Sequence, residues 1–299
     1  MTNTKRFLLV LGFFAILFGG YILYRYSRIT RDRPEIFDGQ RAYNDVIAQV
    51  AFGPRTPGSK AHGQTVDYIR GQLQEANWLV EEQVVKVNGQ TIRNVIARRS
   101  DIPPQIILGA HYDSRLYAEH DPYLMKQSQP VMGANDGASG VAVLLELGRV
   151  LPSNSAPIWL VFFDAEDQAG IPGWVDGSIG ARAFVQEFTV KPQAVVIVDM
   201  VGDRDLNILQ ERQSSRRLTD EIWKTAADLG FSQFFLPQTK YSIDDDHVPF
   251  LEAGIPAIDI IDIEYRYWHT SYDTVDKVSA RSLSIVGITL QRWITQQKR

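Results

Sequence analysis

The sequence predicts an α/β fold in which a mixed, mostly parallel central sheet is flanked by helices on both faces. From Gln105 onward, short and almost continuously apolar segments alternate with helix-like segments. Apolar strands joined through helices are typical of a parallel sheet that is covered on both sides. Before them, two alternating segments surround Asn88-Gly89, the dipeptide of a tight hairpin turn. These segments are therefore predicted to form a hairpin.

The individual elements follow from apolar spacing and from turn residues. Helical spacing predicts helices over 37–50 and 65–78, which enclose the turn-forming segment 52–59. The hairpin strands are predicted over 79–87 and 91–98. The alternating segments after them are QIILGAHYDS, GASGVAVLLELGRVL, PIWLVFFDAED, GSIGARAFVQEF and AVVIVDMVGD. The last predicted elements are a helix over 216–229, a strand over 255–261 and an amphipathic helix over 280–297.

Composition excludes several classes of function. The 299 residues are 44% hydrophobic and 22% charged, which is typical of a globular protein with a substantial core. The formal net charge of −4 gives no basic field for phosphates, so we expect no nucleic-acid partner. The chain has no cysteine, which excludes disulfides, thiolate metal sites and cysteine nucleophiles. Any metal must therefore be held by His, Asp or Glu.

The amino-terminal part departs from this globular composition. Residues 7–24 form an uncharged apolar run, about as long as the shortest helix that spans a bilayer. Tyr21, Tyr24 and Tyr26 crowd its far end, where interfacial aromatic residues are expected. A buried core helix is the alternative interpretation. The predicted organisation is a short tail at 1–6, a transmembrane anchor at 7–24, a basic linker at 25–35 and a folded domain at 36–299.

Polar residues cluster at the carboxyl ends of the predicted strands and in nearby loops, where open α/β sheets bind ligands. They are His111, Asp113, Asp136, Asp164, Glu166, Asp167, Asp199, Asp203, Asp244 to His247, and His269. Taken singly, each has a structural explanation as a core histidine, a cap or a solvated turn. Together, carboxylates packed at one sheet edge resist ionisation unless a cation compensates them. Imidazole and carboxylate ligands favour zinc.

Two short segments carry the acidic residues of greatest interest. Asp136 precedes an apolar helix segment within GANDGASG, where it is either an N-cap or a ligand, and the other strand ends favour a ligand. Glu166 and Asp167 are adjacent at a strand end, where a turn can bring both into one cleft. One could then bind a metal while the other transfers protons. No Gly-x-Ser-x-Gly elbow is present, which disfavours a serine nucleophile.

Ordered motifs give the chain a family resemblance from about Phe37 to the carboxyl terminus. They are GAHYDS, GANDGASGVAVLLELGRVL, FFDAEDQ, GSIGARAF, DMVGD, DDHVPFLEAGIPAIDIID and YWHTSYDT. This set resembles the zinc-dependent aminopeptidase family and its relatives, the glutaminyl-peptide cyclotransferases. It is most similar to the bacterial, animal-type glutaminyl cyclases, whose fold is a mixed sheet between helices. The resemblance implies a zinc-dependent catalytic domain at 36–299.

Carried over by motif, the resemblance implies roles for the clustered residues. The zinc ligands that it implies are Asp136, Asp167 and His269. Glu166 is the implied general acid and base. In the aminopeptidases, residues matching His111 and Asp199 hold a second zinc that Asp136 bridges, whereas the cyclases keep those positions and use one zinc. Asp167 is a departure from the family pattern, because animal cyclases and many aminopeptidases have Glu at this position. The Asp side chain is one methylene shorter.

Several further positions favour the cyclase branch. Trp268 precedes the last implied ligand, Asp245 matches a catalytic aspartate of cyclases, and Trp174 matches a pocket tryptophan. The loop 115–132 also resembles bacterial cyclases. The resemblance implies that Asp245, hydrogen-bonded through Asp199, steadies the leaving nitrogen. It also implies that Trp268 and Trp174 line the substrate pocket, with ordinary core or rim packing as the alternative for both.

The implied reaction converts the N-terminal glutamine of peptides or proteins to pyroglutamate, releases ammonia and uses one zinc. The first alternative is a two-zinc aminopeptidase. The second is an inactive, membrane-anchored binding domain, which the complete set of acidic and histidine residues disfavours. The implied partners are peptide N-termini and, through the anchor, a membrane. The family's usual role implies an extracytoplasmic domain, although the basic residues downstream of 7–24 favour the cytoplasmic side.

Overall fold

The predicted alternation of strands and helices is present in the computed structural model, which describes residues 35–174 and 176–297. The strands are β1 (Leu79–Val87), β2 (Gln90–Arg98), β3 (Ile106–His111), β4 (Ile158–Phe163), β5 (Ala194–Asp199), β6 (Ile208–Gln210), β7 (Phe235–Thr239) and β8 (Ala257–Ile261). The α-helices are α1 (Gly39–Ala51), α2 (Lys60–Glu75), α3 (Ala138–Val150), α4 (Ile179–Glu187), α5 (Arg216–Asp228), α6 (Val248–Glu252) and α7 (Ala280–Gln296). Short 3-10 helices lie at Leu124–Lys126 and Val275–Lys277.

The central sheet has 6 strands in the order β1-β2-β4-β3-β5-β8. β2 pairs antiparallel with β1 and β4, whereas β4, β3, β5 and β8 run parallel. His111 at the end of β3 pairs with Phe163 at the end of β4, and Asp199 on β5 pairs with Ile261 on β8. The carboxyl ends of the parallel strands therefore align at one edge. β6 and β7 form a small separate sheet that the sequence did not predict.

Helices cover both faces of the sheet, as predicted. Alternate strand residues such as Leu108 and Leu160 pack into the larger core with residues of α1, α2, α3, α5 and α7. Their neighbours Ile107 and Val161 pack on the other face with residues of α4 and α6. Because successive side chains of a strand point to opposite faces, strands that are buried on both sides must be apolar throughout.

The helix predicted over 65–78 is wrong at both boundaries, because caps rather than apolar spacing set the ends of α2. The Ser59 side chain accepts a hydrogen bond from the His62 amide at 3.1 Å, so the helix begins at Lys60. At the other end, Asn77 adopts a left-handed φ of 62°. The amide of Trp78 then donates to the Leu73 carbonyl at 2.9 Å, which closes the helix.

The membrane anchor remains a prediction. Within 35–174 and 176–297, no helix combines the length and the apolar character that crossing a membrane requires. The predicted tail at 1–6 and the predicted anchor at 7–24 lie outside the described residues.

Candidate active site and metal centre

Most of the predicted site residues line one cleft beyond the carboxyl edge of the sheet. A cavity of about 120 Å³ lies there. The predicted residues that line it are Asp136, Glu166, Asp167, Asp199, Asp244, Asp245, Trp268 and His269. The apolar part of its wall comes from Met200, Ile243, Ile261 and Ile263. The cleft thus combines a carboxylate-rich floor with an apolar side.

Asp136, Asp167 and His269 form one group that could hold a metal, since their ligand atoms lie within 4.8 Å of one another. His269 Nε2 lies 2.9 Å from Asp167 Oδ1 and 3.8 Å from Asp136 Oδ2. Oδ2 of Asp136 and Oδ2 of Asp167 are buried and accept no hydrogen bond from the described residues. Burial first, and then the charge of Asp136, raises the pKa of Asp167 to about 6. Buried acceptors without donors fit a bound cation.

His111, Asp136 and Asp199 form a second group, which shares Asp136 with the first. His111 Nε2 lies 3.1 Å from Asp136 Oδ1 and 3.1 Å from Asp199 Oδ1. Burial raises the pKa of Asp199 to about 7 despite the opposing effect of His111. On the far side of the ring, His111 Nδ1 lies 3.4 Å from Asp113 Oδ1. The structure therefore offers ligand atoms on both sides of Asp136.

Asp136 is presented by a tightly held turn rather than by a helix cap. The N-cap of α3 is Gly137, so the N-cap interpretation of Asp136 is wrong. The Asp273 carboxylate accepts hydrogen bonds from the amides of Asn135 at 2.8 Å and Asp136 at 3.2 Å. A side chain at position 137 would overlap His111, which explains why glycine occupies it. Close backbone packing thus brings Asp136 to His111.

The turn after β4 brings Glu166 and Asp167 into the same cleft, as the sequence suggested. Asp113 holds this turn, because its carboxylate accepts hydrogen bonds from the Glu166 amide at 3.1 Å and the Gln168 side chain at 2.9 Å. Burial, followed by the negative charge of Asp245, raises the pKa of Glu166 well above its ordinary range. Glu166 is therefore placed and tuned to exchange protons.

Some predicted contacts differ in the structure. Trp268 lines the cavity, with its ring centroid 4.1 Å from that of His269. Trp174 is not among the cavity-lining residues that the structure describes, and it packs against a small apolar cluster that includes Ile179, the kind of contact that the packing alternative expects. Among the described residues, no hydrogen bond joins Asp245 to Asp199.

Asp164 and Asp203, which also belong to the predicted polar cluster, do not line the cavity among the residues that the structure describes. Asp164 binds His62 at 2.7 Å and the Arg93 amide at 2.8 Å, so it joins α2 and β2 to the end of β4. Asp203 accepts a hydrogen bond from the Asp205 amide at 3.2 Å. Both carboxylates therefore have structural partners.

Sequence reasoning missed two residues of the loop 115–132 that contact His269. Glu119 accepts a hydrogen bond from His269 Nδ1 at 3.0 Å. The ring centroid of His120 lies 5.3 Å from that of His269. Glu119 and His120 are adjacent in the sequence and are of residue types that bind metals. They do not follow a predicted strand, however, so the sequence did not indicate that they lie near the cleft.

Arg55 is another residue that the sequence did not reveal. Its guanidinium is fully buried and donates hydrogen bonds to the carbonyls of Tyr112 at 3.0 Å, Met132 at 2.7 Å and Gly133 at 2.5 Å. Burial lowers the pKa of Arg55 to about 10. Arg55 therefore ties the turn-forming segment 52–59 to both ends of the loop that precedes Asp136.

Comparison with known proteins agrees with this geometry. The model of one family, described as peptidase family M28, matches residues 94–294, which is more than half of the chain. The chain belongs to peptidase family M28. The zinc-dependent family that the motifs suggested is thereby confirmed.

The proteins that are similar to this chain include glutaminyl cyclases and a peptidase. The solved glutaminyl cyclase of Porphyromonas gingivalis is 31% identical with a TM-score of 0.83, and the match covers 88% of this chain and 100% of that one. A Zn-dependent exopeptidase from Parabacteroides distasonis is 31% identical with a TM-score of 0.81, over 89% of this chain and 100% of the other. The glutaminyl-peptide cyclotransferase of Boiga irregularis is 26% identical over 290 residues, 81% of this chain and 76% of the relative.

Proposed function

We propose that this M28 chain is a zinc-dependent glutaminyl-peptide cyclotransferase, which converts N-terminal glutamine to pyroglutamate and releases ammonia. The observation that carries the proposal is the small cavity in which a candidate metal group, the tuned carboxyl of Glu166 and the Trp268 ring meet. Similarity to glutaminyl cyclases of bacterial and animal origin supports it.

Asp136, Asp167 and His269 are the residues that would hold the zinc. Their unpaired buried oxygens and their mixed carboxylate and imidazole chemistry fit this ion. When bound there, zinc supplies a Lewis acid for the γ-carboxamide oxygen of the substrate.

Glu166 moves the proton in the proposed reaction. The α-amine of the substrate attacks its own γ-carboxamide carbon, so that one carbon–nitrogen bond forms and the bond to the departing ammonia breaks. Glu166 accepts the proton of the attacking amine and returns it to the leaving nitrogen. Asp199 and Asp245 line the cavity beside it and can accept hydrogen bonds from that nitrogen. No water molecule is consumed.

The cavity also limits the substrate. A volume of about 120 Å³ admits one small side chain. Its apolar wall, with Ile243, Ile263 and Trp268, can pack against the methylene groups of glutamine and hold the chain folded for attack.

A second candidate function is that of a two-zinc aminopeptidase. The second ligand group, with His111 and Asp199, favours it, as does similarity to a Zn-dependent exopeptidase. In that case Glu166 would activate water to cleave the first peptide bond.

Incubation of the purified full-length chain with matched peptides distinguishes the two functions. From a peptide that begins with glutamine, we expect ammonia and a pyroglutamyl peptide. From peptides that begin with leucine or lysine, we expect no free amino acid. Free amino acids without ammonia would support the aminopeptidase instead. A single tightly bound zinc per chain favours the cyclase, whereas a second one favours the peptidase.

We also propose that the segment 7–24 anchors the protein in a membrane and that the catalytic domain is extracytoplasmic. The apolar run itself supports an anchor. Protease added to intact cells should digest the domain. Complete protection of the domain would refute this orientation.

A further inference from the structure

Glu119 connects a candidate zinc ligand to a buried arginine. Its Oε1 accepts hydrogen bonds from His269 Nδ1 at 3.0 Å, from Arg115 Nε at 2.9 Å and from Arg115 Nη2 at 2.5 Å. His269 is buried and Glu119 is half-buried. The bonds between Glu119 and Arg115 join charged partners, and such hydrogen bonds are short and strong.

Arg115 also holds the segment that carries another candidate ligand. Its Nη1 donates hydrogen bonds to the carbonyls of Asp167 at 3.0 Å and Ala169 at 2.9 Å. The Arg115 guanidinium therefore hydrogen-bonds to the turn after β4 through Nη1 and to Glu119 through Nε and Nη2. Two ligand segments that are far apart in sequence are joined through a single pair of side chains.

This contact selects one form of the His269 ring. A carboxylate at Nδ1 favours the tautomer that carries its proton there, which leaves the lone pair at Nε2. Nε2 is the atom that faces Asp167, at 2.9 Å. Glu119 thus acts on the metal-facing nitrogen through the other side of the ring.

We propose that Glu119, braced by Arg115, is a positioning residue that orients His269 and thereby raises zinc affinity. The inference rests on the zinc site of the proposed function, but it does not depend on which reaction follows. Outer partners of metal-bound histidines commonly change metal affinity by about 10–100-fold.

The loop 115–132 has anchors that do not involve Glu119. Asp121 is buried and accepts hydrogen bonds from the Ser271 amide at 3.0 Å and the Ser271 hydroxyl at 2.5 Å. The Ala118 amide donates to the Gln129 carbonyl at 2.8 Å. Removing the Glu119 carboxylate therefore leaves the loop attached, and its effect on zinc reports on the contacts of Glu119 with His269 and Arg115.

The test measures zinc dissociation constants of the full-length chain by competition with a chromogenic chelator. We expect Glu119→Ala to weaken zinc binding by about 10–100-fold. Glu119→Gln should weaken it less, because the amide oxygen still accepts from Nδ1. Met125→Ala, at a position of the same loop that is 91% exposed, should match the wild type. The visible spectrum of the cobalt-substituted chain should change in the same order.

The outcomes separate this inference from the proposed function. Wild-type zinc affinity and an unchanged cobalt spectrum in E119A would overturn the inference, and an equal loss in M125A would overturn it too. If E119A does not fold, E119Q decides, and an unchanged affinity and spectrum there count against the inference. A wild-type chain that binds zinc but hydrolyses peptides would refute the proposed cyclase function. The proposed role of Glu119 in zinc binding would be unaffected.

Discussion

Glu166 shows how one side chain acquires chemistry from its neighbours. An isolated glutamate is ionised at neutral pH and gives up no proton there. In the cleft, burial and the negative charge of Asp245 raise the pKa of Glu166 well above the ordinary value of a glutamate. The carboxyl group therefore holds a proton more readily than an isolated glutamate does, which suits a general acid and base. Its neighbour Asp167 faces His269 instead, so adjacent residues acquire different tasks.

The substitution Glu166→Gln tests this assignment at the residue scale. It should lower kcat for a glutamine peptide by about 10²–10⁴-fold, because an amide of similar size cannot accept the amine proton. Zinc content, measured in parallel, should not change. Glu252→Gln, at an exposed position, is the matched control and should leave kcat unchanged. Full activity of E166Q in a clean preparation would remove Glu166 from the reaction.

The loop that follows β6 shows how an element near the cleft is held. The Glu211 carboxylate is buried and accepts hydrogen bonds from the amides of Gln213 at 2.9 Å, Ser214 at 2.7 Å and Ile243 at 3.2 Å. Burial acts to raise the pKa of Glu211, but His247, the Gln213 amide and Ser214 lower it to about 2. Because Ile243 lines the cavity, Glu211 stabilises part of the substrate wall.

This arrangement predicts a pH-dependent stability. The pKa of Glu211 is lower in the folded chain than its ordinary 4.5, so its contribution is complete above that value and is lost as pH falls towards 2. Glu211→Gln should lower the free energy of unfolding by about 1.5–3 kcal/mol at pH 7. Urea denaturation should show the difference from the wild type shrinking between about pH 5 and pH 3. A difference that stays constant over this range would contradict the assignment.

For the molecule as a whole, the candidate zinc ligands exist as a group only in the folded chain. Asp167 and His269 are 102 positions apart, and Asp136 lies on a third segment. A ligand that binds the folded state alone stabilises it by mass action. Zinc at about 100 times its dissociation constant should therefore add about 2.7 kcal/mol to the free energy of unfolding.

Removal of the metal should thus lower thermal stability. A chelator should lower Tm by about 5–10 °C relative to the zinc-loaded chain, and added zinc should restore it. Scanning calorimetry or circular dichroism measures the shift. A chain with Asp167→Ala, which lacks one proposed ligand, should show a much smaller response, and equal responses would argue against the site.

The sequence revealed those parts of this molecule that local patterns encode. Asp136, Asp167 and His269 stood in motifs at or near strand ends, and the aligned carboxyl edge brings them together. Glu119 escaped notice because its neighbour in space is 150 positions away along the chain. Trp174 was placed by motif alone, whereas the path of its Gly- and Pro-rich loop depends on tertiary contacts. The order β1-β2-β4-β3-β5-β8 likewise depends on crossovers that no periodicity specifies.

Asp136 belongs to both candidate metal-ligand groups, so the contacts that align it determine when the protein can bind zinc. Asp136 is aligned by Asp273, which lies 137 positions further along the chain, and the close approach of Gly137 to His111 completes its setting. Such long-range contacts form late in folding, since their loops are costly to close. We therefore expect that the nascent chain does not yet have an assembled metal site. Zinc should bind after the chain has folded and should not initiate folding.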